Sequence, residues 1–131
     1  MHIIRSLRYV ILAFPFLLSV GCGGYSPEAH RVDAGQARSL LENVLASWRA
    51  GETPESWKQK SPAVVIQDFD WQSGAKLNSF EIVDEGEPVD ANLHCRVKLN
   101  FTDTRKKDIE RTVTYLIGTS PALTVFREPG P

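Results

Sequence analysis

The sequence has few cysteines and no marked excess of charge of either sign. Its 131 residues include two cysteines, 15 basic residues and 16 acidic residues, for a formal net charge of −1. Two cysteines cannot form the disulfide framework on which many small secreted domains depend. The balanced charge gives no global positive field of the kind that nucleic-acid-binding proteins present, so we expect no nucleic-acid partner.

Motifs of the common catalytic and cofactor-binding classes are also missing. The chain contains no HExxH, no paired CxxC, no GxSxG and no glycine-rich phosphate or dinucleotide loop. We therefore expect no catalytic residue, no cofactor and no metal, and we expect that the protein is not an enzyme. A length of 131 residues with 42% hydrophobic content is typical of one folded domain.

An apolar run long enough to cross a membrane is absent, but a shorter run lies near the N-terminus. Arg5 and Arg8 precede twelve uncharged residues at positions 9–20, and no acidic residue occurs before Glu28. A membrane-spanning helix needs about 20 apolar residues, so this run is too short. A positive start, a short apolar run and small residues after it are typical of a secretory signal peptide.

The apolar run ends in the stretch LSVGC at residues 18–22. This stretch resembles the lipobox of bacterial lipoproteins, in which a small residue precedes the cysteine. The resemblance implies cleavage before Cys22 and attachment of a diacylglyceryl group to its sulfur, usually with acylation of the new amine. Two or three acyl chains hold a soluble domain firmly on a bilayer. An ordinary signal peptide with a nearby cysteine, or an uncleaved anchor, is the alternative.

These features divide the chain into three parts. We expect residues 1–21 to be a lipoprotein signal peptide, residues 22–32 to be a lipidated tether, and residues 33–131 to be a single domain. The tether contains glycine, proline and polar residues without periodicity, as flexible linkers do. The protein is then expected in the cell envelope, anchored through lipid to the periplasmic or extracytoplasmic face of a membrane.

The predicted domain opens with an amphipathic helix. Asp33 is a good N-cap, Gln36 can complete a capping box, and Gly51 follows the helix at the position where glycine is most favoured. Between them, apolar residues recur at helical spacing: Ala37, Leu40, Leu41, Val44, Leu45 and Trp48. A threonine, a proline and an acid at 53–55 predict a short second helix through about Lys60.

A period of two replaces the helical spacing in the second half of the chain. It predicts five strands, at about 63–71, 76–84, 91–102, 108–117 and 122–127. Helices followed by strands with short connections predict an α+β fold, with an antiparallel sheet curved around the first helix. This order of elements is similar to the cystatin-like and nuclear-transport-factor-2-like α+β rolls.

Few residues in this domain are candidates for chemistry. Acidic residues could supply oxygen ligands for Ca²⁺, but their spacing lacks a calcium loop, and we interpret them as a solvated strand end and an acidic turn: Asp68, Asp70, Asp84, Glu85, Glu87 and Asp90. Cys95 alternates with core positions, so we expect a buried structural thiol. Tyr115 is expected to face into the roll, with no Asp or His beside it on an inner face.

Three functional hypotheses remain open, one of which is a purely structural or assembly role. The first is a non-catalytic envelope lipoprotein whose domain binds a partner protein, peptidoglycan or a small ligand. The alternative is a small roll-fold enzyme or ligand-binding protein with a pocket between helix and sheet. A pocket lined by ionisable groups would favour the alternative, whereas a solid core with an exposed apolar surface would favour a binding or assembly role.

Overall fold

The computed structural model describes residues 31–130, so the predicted signal peptide and the Cys22 lipidation site lie outside the described residues. Within that range, helices and strands follow one another in this order: α1 (Ala34–Arg49), a 3-10 helix (Pro54–Gln59), β1 (Val64–Gln67), α2 (Phe69–Gln72), β2 (Lys76–Ile82), β3 (Glu87–Val89), β4 (Asn92–Thr102), β5 (Asp108–Gly118) and β6 (Leu123–Arg127). The predicted α+β fold is confirmed, because α1 precedes a strongly curled half-barrel sheet and packs on it.

The first helix begins and ends where its sequence signals predict. An Asp33 side-chain oxygen accepts the backbone N–H of Gln36 at 2.9 Å, and Gly51 follows the helix with a φ of +92°. The backbone N–H of Asp33 donates to Thr119 Oγ1 at 3.1 Å, in place of the predicted contact with the Gln36 side chain. This bond fixes the start of α1 beside the end of β5. None of the helices in residues 31–130 is long and apolar enough to cross a membrane.

The sheet is built around a long hairpin and has one parallel pair of strands at one edge. The strand order is β1-β6-β5-β4-β2, and β3 pairs with β4 outside that path. The antiparallel β4–β5 ladder runs from Asn92 opposite Gly118 to Thr102 opposite Asp108. The expectation of a wholly antiparallel sheet is wrong at β1 and β6, which pair in parallel. Parallel pairing is possible there because all the other strands lie between them in the chain.

The first predicted strand, at 63–71, is shorter than its apolar pattern suggests. It ends at Gln67, because Asp68 caps α2 by accepting the backbone N–H groups of Asp70 at 3.1 Å and Trp71 at 3.3 Å. An aspartate at an N-cap competes with the extended ladder in this way. Trp71 therefore packs from a helix rather than from a strand.

The core fills the space between α1 and the concave face of the sheet. The Trp48 ring stacks on that of Trp71 with centroids 5.4 Å apart, and its centroid lies 6.2 Å from that of Phe101. The indole N–H of Trp48 donates to the Ala75 carbonyl at 2.8 Å, so its burial leaves no polar group unpaired. No buried side-chain nitrogen or oxygen in the described part of the chain lacks a hydrogen-bond partner.

Cys95 lies in this core, as its place in the alternation predicts. It is fully buried on β4, while the neighbouring Arg96 side chain is 63% exposed on the other face. Burial raises the pKa of the Cys95 thiol, and the negative charge of Asp84 adds to that effect. Gly86, which has a φ of +90°, passes so close that an added Cβ would lie 2.8 Å from the Cys95 sulfur.

Candidate functional site

A charged network lies where β1, β6 and β5 are neighbours, on the inner face of the half-barrel. Val64 and Ile66 of β1 point inward, and the same alternation turns Asp68 inward at the end of that strand. Arg127 is the register partner of Tyr115 in the β5–β6 ladder. The parallel pairing of β1 with β6 then brings Asp68 beside both side chains.

The hydrogen bonds in this network converge on the two aspartates. The Tyr115 hydroxyl donates to Asp68 Oδ2 at 2.5 Å. Arg127 Nη1 donates to Asp68 Oδ1 at 3.1 Å and also to Asp70 Oδ2. Arg111 Nη1 lies farther away, 3.8 Å from the same Asp70 oxygen. Two acids and two guanidinium groups therefore balance in charge around one tyrosine hydroxyl.

Asp68 is almost wholly withdrawn from solvent, with 1% of its surface exposed. Its Oδ1 accepts from Arg127 and from two backbone N–H groups of α2, while its Oδ2 accepts from Tyr115. Burial of a carboxylate is costly unless it is paired and hydrogen-bonded, and both conditions are met here. The acceptor sites of Asp68 are used by groups of the protein itself.

Burial and neighbouring charges shift the pKa values of Tyr115 and Arg127, the two side chains that donate to Asp68. Burial raises the pKa of Tyr115 well above its ordinary value, and the negative charge of Asp68 raises it further. Burial alone would lower the pKa of Arg127, but the charge of Asp68, the hydrogen bond and charge of Asp70 and the influence of Tyr115 together outweigh it and raise that pKa. The network therefore holds a protonated phenol and a permanent cation.

An open cleft of about 960 Å³ lies beside the network, between α2 and the edge of β5. It is lined by residues of α2, β5 and the segment after β6: Gln67, Asp68, Phe69, Asp70, Gln72, Arg111, Thr112, Val113, Thr114, Arg127, Glu128, Pro129 and Gly130. It exists because β6 pairs with β5 only from Tyr115 to Gly118, although β5 begins at Asp108. In the described part of the chain, the first half of β5 thus has a neighbouring strand on one side only.

Two of the side chains that line this cleft have more than half of their surface exposed to solvent. Phe69 is 80% exposed at the start of α2, which is unusual for an aromatic residue. The Arg111 side chain is 52% exposed, and its guanidinium carbon lies 6.0 Å from the centre of the Phe101 ring. Aromatic residues, phenylalanine included, and arginine are enriched at protein–protein interfaces relative to the rest of the surface.

The acidic residues do not assemble into a metal site. Residues 31–130 contain no group of three or more His, Cys, Asp or Glu side chains placed to hold a metal ion. Arg127 lies between Asp68 and Asp70, where a cation would have to bind. Asp84 is held elsewhere, 3.2 Å from the Nε atom of Arg96.

The interpretation of Asp68 as part of a solvated strand end is wrong, and so is the expectation that Tyr115 has no acidic partner on an inner face. Tyr115 does point inward, as expected. The period-two alternation that begins at Val64 and Ile66 reaches Asp68 at its next inward position and could have shown its orientation. Arg111 and Arg127 were missed because no motif marks them.

Comparison with known proteins adds no relative from which a function could be carried over. Neither protein-family models, nor curated proteins, nor solved structures give a match to this chain. The site is therefore interpreted from its own geometry, as a saturated ionic network beside an open, partly aromatic cleft.

Proposed function

We propose that this chain is a lipid-anchored protein of the cell envelope whose folded domain is a non-catalytic binding module. The lipobox-like stretch that ends at Cys22 supports the anchor. The cleft between α2 and the β5 edge is the binding surface. Its occupant is a partner protein or a small ligand of the envelope, and no cofactor takes part.

The burial and hydrogen bonding of Asp68 support the proposal that the domain is not catalytic. A general base must lie within hydrogen-bond distance of the substrate proton that it removes. Asp68 is buried and accepts from Tyr115, Arg127 and two backbone N–H groups. Such a carboxylate positions its neighbours and stabilises the fold. The solid core under α1 and the exposed Phe69 also favour binding over catalysis.

A small roll-fold enzyme or ligand-binding protein remains the second candidate, and two observations favour it. The first is that ionisable groups, among them Asp70 and Arg111, line the cleft. The second is that Tyr115 and Asp68 form a short hydrogen bond on the inner face, a pairing that could serve proton transfer in a pocket. Tyr115 is 1% exposed, however, so a substrate would need the network to open before it could touch the hydroxyl. An activity lost in Tyr115→Phe while stability and cleft binding persisted would favour this candidate.

Lipid labelling in the producing cells tests the anchor. An alkynyl fatty acid should mark the wild-type protein and should leave Cys22→Ser unlabelled, because the sulfur and the new amine are the expected attachment points. Label that persists in Cys22→Ser would contradict the assignment of Cys22.

Site-specific cross-linking tests the binding surface. A photoreactive amino acid at Gln72, on the cleft wall, should give discrete cross-linked products in the membrane fraction. The same amino acid at Glu42, on the exposed side of α1, is the matched control and should give none. Equal products from both positions would contradict the cleft as the binding surface.

A further inference from the structure

We propose that the cleft binds an extended peptide segment, which pairs with the edge of β5 as an added strand and places an acidic side chain against Arg111. This inference rests on the proposed function, because it names the ligand class of the same cleft. Three features carry it: the direction of the backbone groups of β5, the wall opposite them, and the guanidinium donors of Arg111.

The backbone of β5 offers hydrogen-bonding groups to the cleft. The N–H of Glu128 donates to the carbonyl of Thr114 at 2.8 Å, so the polar groups of Thr114 point toward the β6 side. In an antiparallel strand these directions alternate from one residue to the next. The N–H and C=O groups of Glu110 and Thr112 therefore point to the same side, where β6 no longer runs. An edge of this kind is a template for another strand.

The opposite wall leaves room for such a strand. Paired strands lie about 4.8 Å apart, and a cleft of about 960 Å³ lies between this edge and α2. Phe69 stands on that wall with most of its ring exposed. A peptide in the cleft would cover the ring with an apolar side chain, which removes apolar surface from water and stabilises the complex.

The guanidinium donors of Arg111 favour a peptide that carries an acidic side chain. The nearest acid in the described residues is Asp70, whose Oδ2 already accepts from Arg127 and lies 3.8 Å from Arg111. Arg111 therefore keeps guanidinium donors that suit a carboxylate. On the outer face of the same strand, Glu110 is held by Lys98 at 2.7 Å. The structure thus favours an acid at the inward position of the added strand and neutral residues at the outward ones.

A matched pair of peptides tests the selection by charge. The probe is the fluorescently labelled heptapeptide Thr-Val-Thr-Glu-Thr-Val-Thr with blocked ends, and the control carries Lys in place of Glu. Binding to the full lipidated protein in detergent micelles is followed by anisotropy. The Glu peptide should bind about tenfold or more tightly than the Lys peptide, the scale of a charge-assisted hydrogen bond. Arg111→Ala should remove most of that difference, and an unchanged preference would overturn the proposal.

The backbone pairing has a separate test. N-methylation of the peptide amides that face β5 should abolish binding, whereas methylation of the alternate amides should leave it intact. In the protein, Thr112→Pro removes an N–H that points into the cleft, and Thr112→Ala is the control that keeps it. Proline is tolerated at an edge whose N–H faces solvent, so the fold should persist, as thermal unfolding would show. The Ala variant should bind and the Pro variant should not.

Hydrogen exchange shows where the peptide lies. The backbone amides of residues 108–114 should exchange in the free protein and become protected when the Glu peptide is added. Protection before any addition would show that another part of the chain, or a second copy, already fills the edge, and would overturn the proposal. Binding without new protection there would overturn strand addition as well.

Failure of this inference can be told apart from failure of the proposed function. If the peptides do not bind but cross-links from Gln72 persist in the envelope, strand addition is wrong and the binding module stands. If the fatty-acid label and the Gln72 cross-links are both missing, the proposed function itself is wrong.

Discussion

At the level of single residues, Asp68 links three parts of the fold through one carboxylate. It caps α2, accepts the Tyr115 hydroxyl and pairs with Arg127, so three strands and a helix depend on its charge. Removal of one partner from a buried ion pair is far more costly than the pair itself is stabilising, because the remaining charge stays buried.

Asp68→Asn should therefore lower the free energy of unfolding by about 3 kcal/mol or more, since Arg127 then keeps only Asp70. Urea denaturation measures the change. Glu85→Gln, which neutralises an exposed acid, is the matched control and should change the free energy by less than about 0.5 kcal/mol. Equal effects of the two substitutions would contradict the buried network.

Tyr115 gives the network a dependence on alkaline pH. Its pKa is raised in the folded protein, so the hydroxyl stays protonated there while it ionises in the unfolded chain. The stabilisation is thus complete below the ordinary tyrosine pKa of about 10 and is lost as the pH rises above it. Tyr115→Phe should be less stable than wild type at pH 8, by about 1–3 kcal/mol. The gap should shrink at pH 11, and a constant gap across this range would contradict the raised pKa.

At the level of elements, β4 shows how well the sequence predicts orientation. Alternation over residues 92–102 places Cys95 in the core and Arg96 in water, as the structure has them. A slip of one residue would exchange the two faces, so the register is sharply defined. The same alternation predicted β5 and the inward position of Tyr115, whereas helical spacing of apolar residues predicted α1.

Thiol reactivity tests the β4 register in the Cys22→Ser background. Cys95 should react slowly with a thiol reagent in the folded protein and rapidly after unfolding, because its sulfur is buried. Arg96→Cys combined with Cys95→Ala places the thiol one residue away, on the exposed face, and should react rapidly when folded. Similar native rates for the two proteins would contradict the register.

The elements that sequence reasoning missed depend on contacts between distant segments. Periodicity describes each strand by itself, whereas the partnership of β1 with β6 is decided only when the sheet curls. Asp68 and Arg127 are polar residues at the ends of short strands, and only this pairing makes them neighbours. The cleft could not be predicted from the sequence either, because it depends on where the β5–β6 ladder ends.

At the level of the whole molecule, the first residue of the predicted domain, Asp33, and the cleft lie at different positions along β5. Asp33, the first residue after the tether, bonds to Thr119 just beyond the end of β5. Arg111 lies near the start of that strand, and the basic turn at residues 105–107 precedes it. Eight residues separate Arg111 from Thr119, which corresponds to about 26 Å along an extended strand. If Cys22 is lipidated as proposed, Asp33 marks the end of the domain nearest the membrane, and the cleft should on average lie farther from it.

Fluorescence quenching by spin-labelled lipids measures this orientation in the lipidated protein. With Cys95 replaced by Ala, a fluorophore at Ala122→Cys should be quenched strongly, because it lies near the tether end. The same fluorophore at Lys106→Cys should be quenched weakly. The reverse order would mean that the basic turn lies on the lipid head groups.

The pairing of β1 with β6 also determines the order in which the strands of the sheet can pair as the chain is synthesised. The chain is synthesised from its N-terminus, so β1 emerges before β6 and has no partner while β2, β4 and β5 can already pair locally. Asp68 meets Arg127 only after residues 123–127 have followed. The pairing of β1 with β6 is therefore the last part of the sheet to form. A chain interrupted before Leu123 would leave β1 without a partner and the whole β5 edge unpaired, and unpaired strand edges are the features that favour aggregation.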